Sequence, residues 1–142
     1  MIPYPAVIVQ GTEDVRTVLR ADLPVTLLSA PGAALFAGAG WWRALIALAR
    51  REFPDATMTD LLDCADAPGR ALEAIRIGQP GLVLSPAAPG FAAVAAIAAE
   101  RGAIVLPARP PALDLAARDA PRRLAMWLRV QTGHVDRSVP LG

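Results

Sequence analysis

Gly81-Leu82-Val83-Leu84-Ser85-Pro86 and, 22 residues further on, Ala103-Ile104-Val105-Leu106-Pro107 decide the fold of this chain. Each is a short, continuously apolar run closed by a proline turn, the pattern of a strand covered on both faces rather than one with a wet side. Between them Pro89 and Gly90 open, and Gly102 closes, a helical pattern that carries Val94 and Ile97 on one stripe. The same offset of 22 superposes Ala74 on Ala96, Ile75 on Ile97, Val83 on Val105 and Leu84 on Leu106, so the helix–strand unit occurs twice in succession. Strands joined through helices pair in parallel, because an antiparallel pair needs no such crossover.

Outward from these units, residues 6–10, 25–29 and 60–64 add three more β-rich runs, which with 81–85 and 103–107 make five. Val7-Ile8-Val9, Leu82-Val83-Leu84 and Ile104-Val105-Leu106 are uninterrupted and read as central strands. Residues 41–53 read as a helix with Leu45, Leu48 and Ala49 inward and Arg43, Arg50 and Arg51 outward; the short connection 13–23 has Val15, Val18 and Leu19 as its stripe. Asp66 is placed to cap a helix whose Ala71, Leu72 and Ile75 share a face and whose stop is Gly78. After Arg109-Pro110-Pro111 a helical segment is expected over 112–119, and Pro121 restarts a helix with Leu124, Trp127 and Leu128 on its apolar face. The expectation is one α/β domain over 1–133, an open, doubly wound parallel sheet of about five strands in a flavodoxin-like or Rossmann-like three-layer architecture, with order 2-1-3-4-5. Residues 134–142, aperiodic and containing His134 and Pro140, read as a flexible tail.

Composition narrows the chemistry. Net charge is +1 from fourteen basic and thirteen acidic residues, so no global field draws the chain toward nucleic acid or anionic membrane. All the basic residues are arginine, which removes a Schiff-base lysine, a lysine general base and a phosphate-loop lysine. The uncharged runs 23–42 and 77–99 are long enough to span a bilayer, but each is cut by several prolines and glycines into strand, turn and helix. The N-terminus lacks the basic segment and apolar core of a signal peptide, and the single Cys64 cannot form an intrachain disulfide, so a cytoplasmic location is expected. A 54% hydrophobic content with mean hydropathy +0.40 is high for a monomer and points to a homo-oligomer, with Trp41, Trp42 or the Leu124/Trp127/Leu128 face at the contact.

In a parallel sheet every strand C-terminus opens on one edge, where ligands of α/β domains bind. Candidate ligand-binding residues there are Ser29, Gly32, Asp63, Asp66, Ser85 and Arg109. Asp63 stands out because it follows Leu61-Leu62 directly; it suits a general base or a ligand contact, or an anchor for a neighbouring loop. Cys64 reads as a buried structural thiol, since Asp63 and Asp66 oppose a thiolate and His134 is the single histidine. The same shortage of histidine argues against a histidine-rich metal site, and no metal or cofactor is assigned. The small, uncharged loop 30–40 ends at Trp41-Trp42 and either cradles a ligand with a tryptophan as one wall or packs as a helix start. Neither a dinucleotide fingerprint nor a phosphate loop is present. Only Asp63 has a counterpart among the acids and lysine of a receiver domain, and Gln10-Gly11-Thr12-Glu13-Asp14 does not match a flavodoxin phosphate loop.

The functional expectation is a domain that binds a small polar ligand at the strand C-terminal edge. The alternative is a non-catalytic homo-oligomeric interaction or scaffold domain, and a third reading is a small lyase or hydrolase using Asp63. An open polar pocket bordered by Ser29, Asp63 and Ser85 separates the first from the second, in which that edge is filled.

Overall fold

The computed structural model describes the backbone of residues 2–138 and the side chains of residues 2–129. The chain is an α/β domain on an all-parallel sheet of six strands, one more than expected, in the order β5-β4-β3-β2-β1-β6. The strands are β1 Ala6–Ile8, β2 Val25–Leu28, β3 Met58–Asp63, β4 Gly81–Val83, β5 Ile104–Leu106 and β6 Ala112–Asp114. The helices are α1 Thr12–Leu19, α2 Ala33–Phe36, α3 Ala39–Glu52, α4 Pro68–Arg76, α5 Phe91–Glu100 and α6 Ala120–Ser138. α6 thus runs into the segment expected as a tail; residues 139–142 and the side chain of His134 lie outside what is described.

The order 2-1-3-4-5 gives way to a simpler winding. β1 to β5 lie side by side in chain order, each step through a helix, and a right-handed crossover repeated in one direction returns every helix to the same face. The registered pairs Val7–Leu27 and Leu62–Leu82 lie on that face, and they share one core with residues from all six helices, among them Val18, Trp42, Ile46, Ile75, Val94 and Leu128. The opposite face carries Ala6, Leu28, Leu61 and Val83, packed with Ile2, Ile8, Leu106 and Ala112. Helices, sheet and a covering layer of extended chain make the three layers, so the helical layer is one-sided.

Chain length explains that cover. β5 and β6 stand five strand spacings apart in the ladder, roughly 24 Å in a flat sheet. Yet Leu106 and Ala112 are joined by only six peptide steps, with a reach of about 20–22 Å. The sheet therefore curls, and the connecting strap 107–111 crosses its concave face. Gly81 permits tight packing on that face: a Cβ there would meet Leu61 Cδ2 at 2.8 Å and Ile104 Cγ1 at 3.2 Å.

Residues 112–119, expected as helix, begin with β6, which pairs Ala6 with Ala112 and Ile8 with Asp114. Three residues are too few to show a period, and Pro110-Pro111 hold the approach extended, as prolines do at the start of an edge strand. β5, expected as central, is the other edge, and Val105 is accordingly half-buried rather than enclosed. Ile8 is likewise half-buried, on the concave face. Trp42, Leu124 and Leu128 are consumed by the core, and the Trp127 indole N–H donates to Ala6 O at 2.9 Å, which leaves Trp41 as the exposed member of the expected contact residues. Among the described residues no helix is long and apolar enough to cross a membrane.

Candidate functional site

The strand C-terminal edge has two parts with opposite character. The first is centred on Asp63, the last residue of β3, whose side chain lies on the concave face. Its residue is 4% exposed. Asp63 Oδ1 accepts from Ala65 N–H at 2.7 Å and Oδ2 from Arg109 Nη1 at 2.7 Å. The Asp63 N–H in turn donates to Ser29 Oγ at 2.9 Å, and that hydroxyl donates to Ala30 O at 3.1 Å. Ser29 is fully buried. Three of the six candidate residues, Ser29, Asp63 and Arg109, therefore meet, but they do so by filling the corner with one another. The pair comes from the strap: curling brings Arg109 over the end of β3, 46 residues away in sequence.

The other three are peripheral to that pair. Ser85 binds its own turn, its Oγ accepting from Ala87 N–H at 3.2 Å, and its N–H donates to Ala65 O at 2.7 Å. That bond and the one from Asp63 clamp Ala65 in a left-handed conformation, φ 52°, which a residue with a Cβ adopts at a cost. Gly32 has φ 69° and is the residue before α2, a position where its missing Cβ is needed by the backbone itself. Asp66 is exposed and does not cap: α4 starts with Pro68 after Ala67, with no side-chain cap bond, because a proline at the first helical position supplies the fixed φ and needs no acceptor for an N–H it lacks.

Cys64 is fully buried beside this corner. Burial, and then the charge of Asp63, push its thiol up to about 12 from an ordinary value of 9.0. A group so placed is a neutral thiol at physiological pH and a poor nucleophile. Among the described residues no cluster of three or more His, Cys, Asp or Glu side chains is placed to hold a metal ion.

The second part of the edge is open. Val9 and Gln10 at the end of β1, Ala30 after β2, and Ala33, Phe36, Ala37 and Trp41 from the 30–40 loop surround an apolar hollow of about 120 Å³. The loop is built of small residues, so α2 and the start of α3 sit close against the strand ends and leave the two aromatic rings as walls. Phe36 is 72% exposed, and Leu35 and Trp41 are also exposed. Gln10 is exposed at the rim; its main-chain N–H is taken by Asp14 Oδ2 at 2.9 Å, and its side chain makes no hydrogen bond among the described residues.

Neither Gln10 nor Phe36 is among the residues the sequence singles out for a site, and for 30–40 the sequence leaves a ligand cradle and a helix start as alternatives; the structure forms α2 at 33–36 and begins α3 at Ala39. Sequence reasoning also missed a buried polar cluster under the helices. Asp60 Oδ2 accepts from Trp42 Nε1 at 2.9 Å, Arg43 Nη1 at 3.0 Å and Gln79 Nε2 at 2.8 Å. Arg43, expected to point outward, instead turns in to Asp60 and to Gln79 Oε1 at 2.6 Å. No family model matches this sequence, and no curated protein is significantly similar to it.

Proposed function

We propose that this chain is a small-molecule-binding domain whose site is the apolar hollow at the strand C-terminal edge. The observation that carries the reading is the hollow itself, walled by Phe36 and Trp41 at the edge where ligands of parallel α/β sheets enter. Its volume of about 120 Å³ is close to that of engineered apolar cavities of about 150 Å³ that take up benzene. The ligand therefore carries one apolar group of ring or branched-aliphatic size, with its polar part at the rim beside Gln10. This moves the site away from Asp63, whose two carboxylate oxygens are already engaged by Ala65 and Arg109. A lyase or hydrolase with Asp63 as base loses support for the same reason.

Titration with phenylacetate and with acetate, read by tryptophan emission, tests the proposal. Phenylacetate is expected to change the emission saturably, acetate is not, and both Trp41→Phe and the hollow-filling Ala37→Leu remove the response. A second reading, a protein-interaction module, is favoured by the exposure of Leu35, Phe36 and Trp41 together with the filled Asp63 corner. Absence of any response to phenylacetate, indole and isobutyrate supports that second reading over the first.

A further inference from the structure

We propose that the free edge of β5 is the contact surface for a second copy of this chain, joined antiparallel about a two-fold axis at Val105. Ile104 N–H donates to Pro80 O at 3.0 Å, and Leu106 O accepts from Leu84 N–H at 3.0 Å, so both residues direct their main-chain groups toward β4. Main-chain groups alternate in direction along a strand, which turns the N–H and C=O of Val105 away from the sheet, on the side where no strand follows β5 among the described residues. One donor and one acceptor on one residue are self-complementary: a copy rotated by 180° about Val105 exchanges both bonds at once. Pro107 stands where the next outward donor would be, so a longer foreign strand gains no further main-chain donor here.

The side chains agree with an isologous contact. Ile104, on the face of β5 away from the helices, is 43% exposed, a large apolar surface on the edge strand itself. Edge strands left free in monomers are usually blunted by a charge or a bulge, and Ile104-Val105-Leu106 carries neither. Antiparallel pairing about Val105 sets Ile104 of each copy opposite Leu106 of the other on the face away from the helices, so apolar meets apolar twice, as a two-fold interface requires. It also accounts for part of the high hydrophobic content without the tryptophans.

Sedimentation of the full chain tests this, together with amide exchange at Val105. The wild-type protein is expected to be a dimer at tens of micromolar, the range of a modest interface. Its Val105 amide should exchange at least tenfold more slowly there than at tenfold-lower occupancy of the dimer. Ile104→Lys and, separately, Ile104→Glu should each give a folded monomer, whereas Phe36→Ser on the other exposed patch leaves the dimer intact. A wild-type monomer at that concentration overturns the proposal. So does a dimer that survives both β5-side changes, or one that Phe36→Ser dissolves. If either charged variant fails to fold, the concentration dependence of Val105 exchange in the wild-type chain decides alone.

Discussion

Asp60 and Asp63 stand three residues apart on β3, hence on opposite faces of one strand, and the chain surrounds them differently. Asp60 lies under the helices, where Trp42 and Arg43 from α3 and Gln79 from the turn before β4 all donate to a single oxygen, Oδ2. Its Oδ1 is buried with no partner among the described residues. Asp63 lies on the concave face, where its own loop and a distant strap each take one oxygen. The first ties two helical connections to the sheet centre; the second ties down the one connection that has no helix. Both are struts, but Asp60 holds the layer that supplies most of the core, so its loss should cost more.

Asp60→Ala is therefore the largest expected effect, about 3 kcal/mol, the lower end of the range for breaking a buried pair because Arg43 keeps about a quarter of its side-chain surface in solvent. Urea denaturation measures it, and a loss smaller than that of Asp63→Asn would invert the comparison. Asp63→Asn keeps an acceptor for Ala65 but loses the charge opposite Arg109, at about 1.5 kcal/mol. Arg109→Ala should cost a similar amount, and the double change little more than either, since both remove one interaction. Phenylacetate affinity in the folded Asp63→Asn protein should be unchanged; a weakened affinity would return Asp63 to the site.

A smaller effect separates the acids from the thiol between them. The Cys64 pKa is raised in the folded chain, to about 12 from 9.0, so its contribution is complete below pH 9 and is lost as pH climbs from there toward 12. Melting temperature should decline over that window and less so in Cys64→Ser; native protein at pH 8 should resist iodoacetamide until unfolded. Smallest of all is Arg16→Ala. Arg16 joins α1 to α3 through Glu52 at 2.7 and 2.9 Å and also meets Glu13 at 3.0 Å, but on the surface. Glu52 is held below the ordinary carboxylate range by that hydrogen bond, so the pair contributes above pH 4.5 and fades as pH falls further. High salt should erase the difference between wild type and Arg16→Ala; a melting-temperature change that rivals Asp63→Asn would show a surface pair acting like an interior one.

Repetition and apolar continuity were enough to read the parallel sheet, five of its strands and the order of helices between them. For the 30–40 segment the sequence left a ligand cradle and a helix start open, because small residues in a row allow both; the structure builds α2 and the start of α3 there, around the hollow walled by Phe36 and Trp41. Asp63 was legible as important but not as satisfied. Its partner Arg109 reaches it only after the sheet has curled, and nothing near either residue announces the other. Asp60 was passed over because an acid inside an apolar run reads as the strand's wet face until Trp42, Arg43 and Gln79 are seen to converge on it.

The sequence by itself determined much of what is local: where backbone hydrogen bonds run along α1, α3, α4 and α5, where apolar runs must be buried, and where proline and glycine end them. Only the tertiary structure decided the winding, the sixth strand and the filled corner. The physical reason is a length. A strap of five residues cannot span a flat six-stranded sheet, so closing it forces the curl. The curl then pairs Ala112 with Ala6 and delivers Arg109 to Asp63, contacts that no pattern of neighbouring residues encodes.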